Sequence, residues 1–258
     1  MGQTPNLRGR YRRRRRRTSK KEMSFMNDFS KTFKITADQV TPFQHLRPSS
    51  LLRFLQEISI EHTEELGMPR QYTLDKGLLW VVAKQHIEIK RMPKYDEIIT
   101  VSTWPSKTMH VLFPRSYEIK DKDGNVIIKG ASIWALIDIK NRKMVNPNEH
   151  GIVVEDLSNG RPFNIPLSNK IPFDLKENGV ILAQFSFCDL NGHINNTSYL
   201  DIAENLIPIE FLKEHELKLI DIKYVHEIKL GESLPIQYGF ENNSYYFVNH
   251  AFQLQLGY

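Results

Sequence analysis

The chain has little cysteine and no long apolar run. Among its 258 residues Cys188 is the only cysteine, which excludes an internal disulfide and favours a reducing compartment. No segment approaches the roughly 18 consecutive apolar residues that a membrane-spanning helix needs, and the N-terminus has no apolar signal core. Neither a membrane span nor a disulfide-stabilised secreted scaffold is therefore expected.

Several catalytic motifs are also missing. The sequence has no glycine-rich phosphate loop of the Walker or Rossmann kind, no GxSxG elbow, no HExxH and no paired CxxC. Neither a cofactor nor a metal is therefore expected, although Asp189, His193 and Glu227 are residue types that can ligate one.

Acidic residues are absent from the first 21 positions, which contain ten basic ones. Because six consecutive arginines repel one another, residues 1–29 are predicted to form a disordered extension. Such a tail can bind nucleic acid or an anionic membrane, act as a targeting segment, or precede a true start at Met23 or Met26. The rest of the chain has 25 basic and 30 acidic residues, a net charge of −5, so nucleic acid is not expected to bind the folded body.

The first half reads as one helix followed by antiparallel strands. Pro48 suits the first turn of a helix, apolar residues then recur at helical spacing, and Gly67 is a plausible stop. In "LLWVVAKQHIEIKR" strict alternation places Leu79, Val81, Ala83, Ile87 and Ile89 on one face of a strand. Further strand-like segments follow, with "DKDGN" as a hairpin turn. This order predicts an α+β fold.

The second half repeats this pattern after a proline-rich linker, residues 141–172. When His45 is aligned with His193, a shift of 148 residues, the two halves each show a loop, a histidine and a buried helix at the same positions. The helix predicted in the second half is "TSYLDIAENLIPIEFL". Residues 30–140 and 173–258 are therefore predicted to be two copies of one domain. Under this shift Asp189 stands opposite Thr41 and Asn191 opposite Phe43, which indicates a single active site in the second half.

The polar loop "DLNGHINN" admits two interpretations. Asn, Asp and Gly are common loop formers, and Asn195 or Asn196 can cap the following helix. Alternatively, side chains of Asn and His beside a helix N-terminus can position a water and exchange its proton. Glu227, on the predicted strand after the helix, then supplies a carboxylate base, while His226 points to the opposite face by alternation.

The segment "DLNGHINNTSYLDIAEN", together with "LLRFLQEISIEHTEELG" and "ASIWALIDIKNRKMV", resembles the acyl-acyl carrier protein thioesterases of plants and bacteria. The similarity covers roughly residues 30–258. The family pattern, Asp-x-Asn-x-His followed by Asn-Asn and a tyrosine, is met in order by Asp189, Asn191, His193, Asn195, Asn196 and Tyr199.

The resemblance implies a tandem hotdog fold, in which two long helices are each wrapped by an antiparallel sheet. It also implies hydrolysis of fatty acyl-carrier protein thioesters to a free fatty acid and the free carrier. The catalytic residues would be Asp189, Asn191, His193 and Glu227, and the substrate-binding residues Asn195, Asn196 and Tyr199.

One departure from the family pattern affects the expected mechanism. Plant members have Tyr-x-x-Glu-Cys after the second helix, whereas this chain has Tyr224, Glu227 and then Ile228. Cys188 precedes the polar loop and does not fill the missing position. Attack by an activated water, without a cysteine nucleophile, is therefore expected.

The partner implied by the resemblance is an acyl carrier protein, which is typically acidic. Because the body is itself acidic, binding would need a local basic patch, for which Arg47, Arg53, Arg91 and Lys94 are candidates. A monomer and a homodimer are both compatible with a duplicated hotdog, and a bacterial-type cytoplasm is favoured over a plastid. The alternatives are an acyl-coenzyme A thioesterase, a hotdog dehydratase or a non-catalytic sensor of acyl thioesters.

Overall fold

The computed structural model describes residues 28–166, 171–172 and 174–258. The helices are α1 (Pro48–Glu65), α2 (Arg70–Leu74), α3 (Ser198–Glu204) and α4 (Ile209–Glu214). The strands are β1 (Phe29–Lys34), β2 (Leu78–Ile89), β3 (Ile98–Pro105), β4 (Leu112–Asp121), β5 (Val126–Asp138), β6 (Glu177–Leu182), β7 (Leu219–Tyr224), β8 (Ser233–Glu241), β9 (Ser244–Val248) and β10 (Phe252–Gly257). Apart from residues 28 and 29, the predicted disordered extension lies outside the described residues.

The ten described strands form one antiparallel sheet in which the two halves have the same strand order. The sequence of neighbours is β1-β3-β4-β5-β2 in the first half, and β7-β10-β9-β8-β6 continues it through the second. Each strand of the first half corresponds to the strand numbered five higher in the second half. The corresponding strands follow one another in the reverse direction across the sheet. The halves join where β2 pairs with β7, so an approximate two-fold axis passes through this pair. The predicted α+β class and the internal duplication are confirmed.

The predicted shift of 148 is confirmed by backbone hydrogen bonds in the two polar-loop regions. Thr41 N donates to His45 O, and Asp189 N donates to His193 O, both at 2.8 Å. Gly192 has a φ of +76°, which suits glycine, and Gln44 occupies the same left-handed region at its equivalent position. The two loops therefore have the same backbone conformation despite different side chains.

Helix α1 begins and ends where the sequence predicts. Pro48 is its first residue, and the chain leaves the helix through Gly67, whose φ is +82°. Its buried face packs into a core that includes residues of both halves. At its start α1 also contacts α3, where the Ser49 hydroxyl donates to Asp201 at 2.6 Å.

A bulge in β2 overturns the predicted alternation of that strand. The register against β5 slips between Val82 and Lys84, so Ala83 has no opposite residue. The slip places Val82 on the same face as Ile87, and both are buried. Leu79 and Val81, predicted to share that face, lie on the other side. The prediction fails because one extra residue reverses the faces of a strand whose period is two.

The second predicted helix is interrupted. Helix α3 ends at Glu204, α4 begins at Ile209, and together they replace the single long helix expected from the sequence and the resemblance. Pro208 accounts for the break, since it lacks a backbone N–H and disfavours helical backbone in the residue before it. The first half has no proline within the 18 residues of α1 beyond Pro48, so that helix continues.

The segment predicted as a linker crosses one face of the first half of the sheet. Phe163 N donates to the Ser116 hydroxyl at 3.0 Å, and Pro166 O accepts from Lys84 Nζ at 2.6 Å. The guanidinium of Arg161 also lies 4.6 Å from the ring of Trp104. Specific contacts therefore fix this proline-rich segment on the sheet.

A buried ionic cluster joins the two halves beneath that segment. Asp221 of β7 lies 2.6 Å from His86 Nδ1 and 3.3 Å from Lys84 Nζ, both on β2. The three side chains are at most 10% exposed.

No helix among the described residues is long and apolar enough to cross a membrane.

Candidate active site

Asp189 organises the predicted catalytic loop through its carboxylate. Its Oδ1 accepts from Asn191 N at 2.8 Å and from His193 N at 3.3 Å, and its Oδ2 accepts from the Asn191 side-chain amide at 3.1 Å. These bonds form a turn that fixes the backbone on either side of Gly192. Asp189 therefore positions Asn191 and His193.

His193 and Glu227 lie side by side. Their nearest atoms, His193 Nε2 and Glu227 Oε2, are 3.7 Å apart, slightly beyond hydrogen-bond distance. The His193 side chain is 19% exposed and that of Glu227 is 41% exposed, so water reaches both. A water held between them can pass a proton from one side chain to the other.

The sequence predicted that Glu227 lies on a strand, but in the structure it does not. Strand β7 ends at Tyr224, and the amides of Val225 and His226 both donate to Ala251 O, which ends the regular ladder. Glu227 follows in the loop that leads to an isolated bridge between His193 and Lys229. This bridge, and not strand alternation, brings the carboxylate to the histidine.

Arg142 forms an ion pair with Glu227 from the other half of the molecule. Its Nη2 contacts Glu227 Oε1, opposite the oxygen that faces His193. Arg142 belongs to the turn after β5 and has a positive φ of 58°. The sequence did not single it out, because the contact joins residues 85 positions apart and leaves no local pattern.

The helix N-terminus beside the loop is already occupied by Asn195. The side chain of Asn195 accepts from the amide and the hydroxyl of Thr197, both at 2.9 Å, and its backbone carbonyl accepts from Ser198 N. This arrangement supports the capping interpretation of Asn195. The amides of Thr197 and Ser198 are therefore not free to bind an oxyanion.

A cleft of about 320 Å³ opens beside the loop and runs along α1. Its mouth includes Asp189, Asn191, Asn195 and Asn196, and its wall includes one flank of α1. The inner lining is rich in large apolar side chains: Met68, Trp80, Phe113 and Trp134. The predicted catalytic loop of one half thus faces the helix of the other, and the lining between them suits an apolar ligand.

A buried guanidinium borders this cleft. Arg115 is 6% exposed and donates to His62 Nδ1 at 3.0 Å and to the hydroxyls of Thr63 and Thr103. Burial, followed by the Arg115 charge, lowers the pKa of His62 to about 4, so the imidazole is neutral and can accept this bond. Among the described residues no carboxylate lies within ion-pair distance of Arg115.

Tyr199 is placed away from the cleft. It is 2% exposed and packs in the core, with its ring 4.6 Å from Phe252 and 5.8 Å from Tyr224. Asn196, at the cleft mouth, is fixed through its carbonyl oxygen, 3.0 Å from the Tyr224 hydroxyl. Of the three residues predicted to bind substrate, Asn195 and Asn196 line the cleft, whereas Tyr199 supports the helix beneath it.

Comparison with known families agrees with this geometry. The model of the acyl-ACP thioesterase N-terminal domain matches residues 26–151, and that of the C-terminal domain matches residues 177–257. The chain belongs to the acyl-ACP thioesterase family. Each family domain carries one copy of the loop and helix described above.

Solved structures of this family have the same architecture. An acyl-ACP thioesterase from Bacteroides thetaiotaomicron superposes with a TM-score of 0.74 at 22% identity, covering 89% of this chain and 97% of that one. A 12:0-ACP thioesterase from Umbellularia californica gives a TM-score of 0.74 at 16% identity, covering 89% and 96%. At these identities the likeness establishes the fold, and the predicted tandem hotdog is confirmed.

Curated relatives in this family have longer chains. A chloroplastic acyl-[acyl-carrier-protein] hydrolase of Cuphea viscosissima is 26% identical over 227 residues, which are 80% of this chain and 52% of the relative. An oleoyl-acyl carrier protein thioesterase of Arabidopsis thaliana is 25% identical over 202 residues, 69% of this chain and 53% of the relative. The chain spans about half the length of the curated relatives it matches.

Proposed function

We propose that the chain hydrolyses fatty acyl thioesters carried on acyl carrier protein and releases a free fatty acid. The observation that carries this proposal is the position of the polar loop at the mouth of an apolar cleft. The cleft suits an acyl chain, and the loop that contributes Asp189 and Asn191 to its lining also carries His193, which lies beside Glu227. The relatives' names supply the carrier as the substrate's second part.

The proposed reaction begins with a water beside His193 and Glu227. Glu227 accepts a proton as the water oxygen attacks the thioester carbonyl carbon, and His193 orients the same water. The Asn191 amide has a second N–H besides the one given to Asp189, and this donor stabilises the developing oxyanion. Collapse of the intermediate breaks the carbon–sulfur bond. The leaving thiolate then takes the proton that Glu227 accepted from the water.

Cys188 does not serve as a nucleophile in this proposal. Burial, followed by the Asp189 carboxylate, raises the pKa of its thiol, which lowers the thiolate fraction. Its Sγ also points to the Gln184 carbonyl oxygen, at 3.4 Å. Both observations support a water nucleophile.

Replacing His193 by alanine is expected to lower thiol release about 100-fold or more, the usual scale for losing an acid–base group. The measurement is thiol release from a panel of acyl-carrier protein and acyl-coenzyme A thioesters. His45→Ala is the matched control, because His45 has the same loop position in the other half and should leave the rate unchanged.

The same panel separates the alternatives. Faster turnover of coenzyme A esters would retain the loop chemistry but change the substrate class. Loss of water from a 3-hydroxyacyl thioester without thiol release would indicate a dehydratase. Tight binding with neither reaction would indicate a sensor.

Replacing Arg142 by methionine is expected to lower kcat about 2- to 5-fold, with KM unchanged. The Arg142–Glu227 pair is partly exposed, and such pairs contribute up to about 1 kcal/mol, which corresponds to this factor. Steady-state kinetics with Lys143→Met as control tests this, since Lys143 lies in the same turn and makes no ion pair among the described residues. A rate identical to that of the control would remove Arg142 from the site.

The predicted carrier-binding patch receives limited support. Arg91 pairs with Glu97 at 2.6 Å and Asp121 at 3.2 Å, and Arg53 lies 3.5 Å from Asp201, so two of its four cations are partly neutralised. Arg47 lines a separate cleft. The docking surface for an acidic carrier stays a prediction, as does the choice between monomer and homodimer.

A further inference from the structure

The approximate two-fold axis creates a second cleft related to the candidate active cleft. The active cleft lies between the loop of the second half and α1 of the first. A cleft of about 600 Å³ lies in the equivalent place, between the first-half loop around His45 and the α3–α4 region of the second half. Its volume is within the range of sites that hold small organic ligands.

Matching backbone hydrogen bonds show which residues correspond in the two clefts. Leu46 N donates to Pro93 O, just as Ile194 N donates to Ile228 O. Equivalent residues of the two halves are therefore 148 positions apart before the helix and 135 positions apart after it. The positions of Asn191, Asn195 and Glu227 are occupied in the second cleft by Phe43, Arg47 and Met92.

These replacements remove the proposed hydrolytic groups. Where the candidate active site has the amide of Asn191 and the carboxylate of Glu227, the second cleft has the aromatic ring of Phe43 and the thioether of Met92, which is 7% exposed. Arg47 adds a cation. The second cleft cannot use the carboxylate base proposed for the first, but it presents an apolar wall next to a positive charge.

The break in the second-half helix explains the larger space. Helix α1 passes its loop as 18 continuous residues, whereas the chain on the other side leaves the helix between Glu204 and Ile209. Ile207 and Leu212, on either side of Pro208, then line the opening with further apolar surface.

Three hydrogen-bond donors face this opening. Arg47 has no carboxylate partner within ion-pair distance among the described residues. The Tyr258 hydroxyl is buried and has no hydrogen-bond partner in the described part of the chain. Burial, followed by the Asp201 carboxylate and opposed by Arg47, raises the pKa of Glu204 to about 8. Near neutral pH Glu204 is therefore mostly a neutral acid that can donate a hydrogen bond.

Two other carboxylates at the cleft are paired with cations, and Asp38, which also lines it, accepts from the Thr36 hydroxyl at 2.6 Å. Asp201 accepts from Ser49 and lies 3.5 Å from Arg53. Glu216 pairs with Lys218 at 2.6 Å. The donors of Arg47, Tyr258 and Glu204 thus favour an anion with two acceptor oxygens attached to an apolar body.

We propose that this second cleft is a non-catalytic binding site for a free fatty acid. Its carboxylate is held by Arg47 and Tyr258, and its chain packs against Phe43 and Met92. The choice of a fatty acid rests in part on the proposed function, because thioester hydrolysis releases this class of molecule. The site would therefore bind the product of the active cleft across the two-fold axis.

Photolabelling with a diazirine derivative of dodecanoate tests the proposal on the full chain. Label is expected in two places: in residues 56–64, beside the active cleft, and in residues 203–217, beside the second cleft. Arg47→Met should weaken labelling of residues 203–217 by at least about 10-fold, since a charge-assisted hydrogen bond is lost. Tyr258→Phe, which removes only a hydroxyl, should weaken it about 3-fold or more.

Arg70→Met is the matched control, because Arg70 lines the active cleft, and it should leave labelling of residues 203–217 unchanged. Wild-type protein labelled only at residues 56–64, or labelling of residues 203–217 that neither variant at Arg47 or Tyr258 affects, would overturn the proposal. Thiol release is a separate measurement. Turnover without label in the second cleft would refute this inference alone, and label without turnover would refute the proposed function alone.

Discussion

Replacing Glu227 by glutamine is expected to lower kcat about 100-fold while leaving the fold intact. Glutamine has nearly the same shape but cannot accept the proton of the attacking water, and loss of a general base commonly has this effect. Among the described residues, Glu227 has the only carboxylate within ion-pair distance of the His193 imidazole, at 3.7 Å. The measurement is steady-state thiol release from an acyl-carrier protein thioester, with thermal unfolding as a check on the fold.

Two further variants interpret that result. His226→Ala is expected to have the wild-type rate, because His226 is an exposed neighbour that makes no contact with His193. Arg142→Met measures how much of the loss comes from breaking the ion pair with Glu227. If Glu227→Gln loses no more activity than Arg142→Met, Glu227 acts only through that pair and another group must be the base.

Replacing Asp221 by asparagine is expected to lower the free energy of unfolding by about 3–5 kcal/mol. This is the usual cost of removing one partner from a buried ion pair. Asp221 is 5% exposed at the junction of β2 and β7 and contacts both His86 and Lys84. Lys84 would keep its bond to the Pro166 carbonyl but lose its carboxylate at the strand pair that joins the halves.

Urea-induced unfolding at neutral pH measures this effect. Asp123→Asn is the matched control: Asp123 pairs with Lys122 on the surface, its side chain is 63% exposed, and such pairs contribute little. Asp123→Asn is expected to change stability by less than about 1 kcal/mol. A similarly small change for Asp221→Asn would mean that the buried cluster contributes nothing to joining the halves.

Features governed by neighbouring residues were predictable from the sequence. The bounds of α1 follow from Pro48 and Gly67, because proline suits the first turn of a helix and glycine readily adopts the left-handed backbone that ends one. The duplication was visible because both copies keep the spacing of loop, histidine and helix. The polar loop was recognisable from its own residues. The same motif indicated the family to which the chain belongs.

Only the tertiary structure decided how these pieces meet. The bulge at Ala83 depends on the register of two partner strands, and Glu227 reaches His193 because β7 ends early and a separate bridge pairs His193 with Lys229. The contact of Arg142 with Glu227 and the second cleft both require the halves to be assembled. Periodicity and turn chemistry describe interactions over a few residues, whereas these contacts join positions far apart in the chain and depend on packing that no local pattern records.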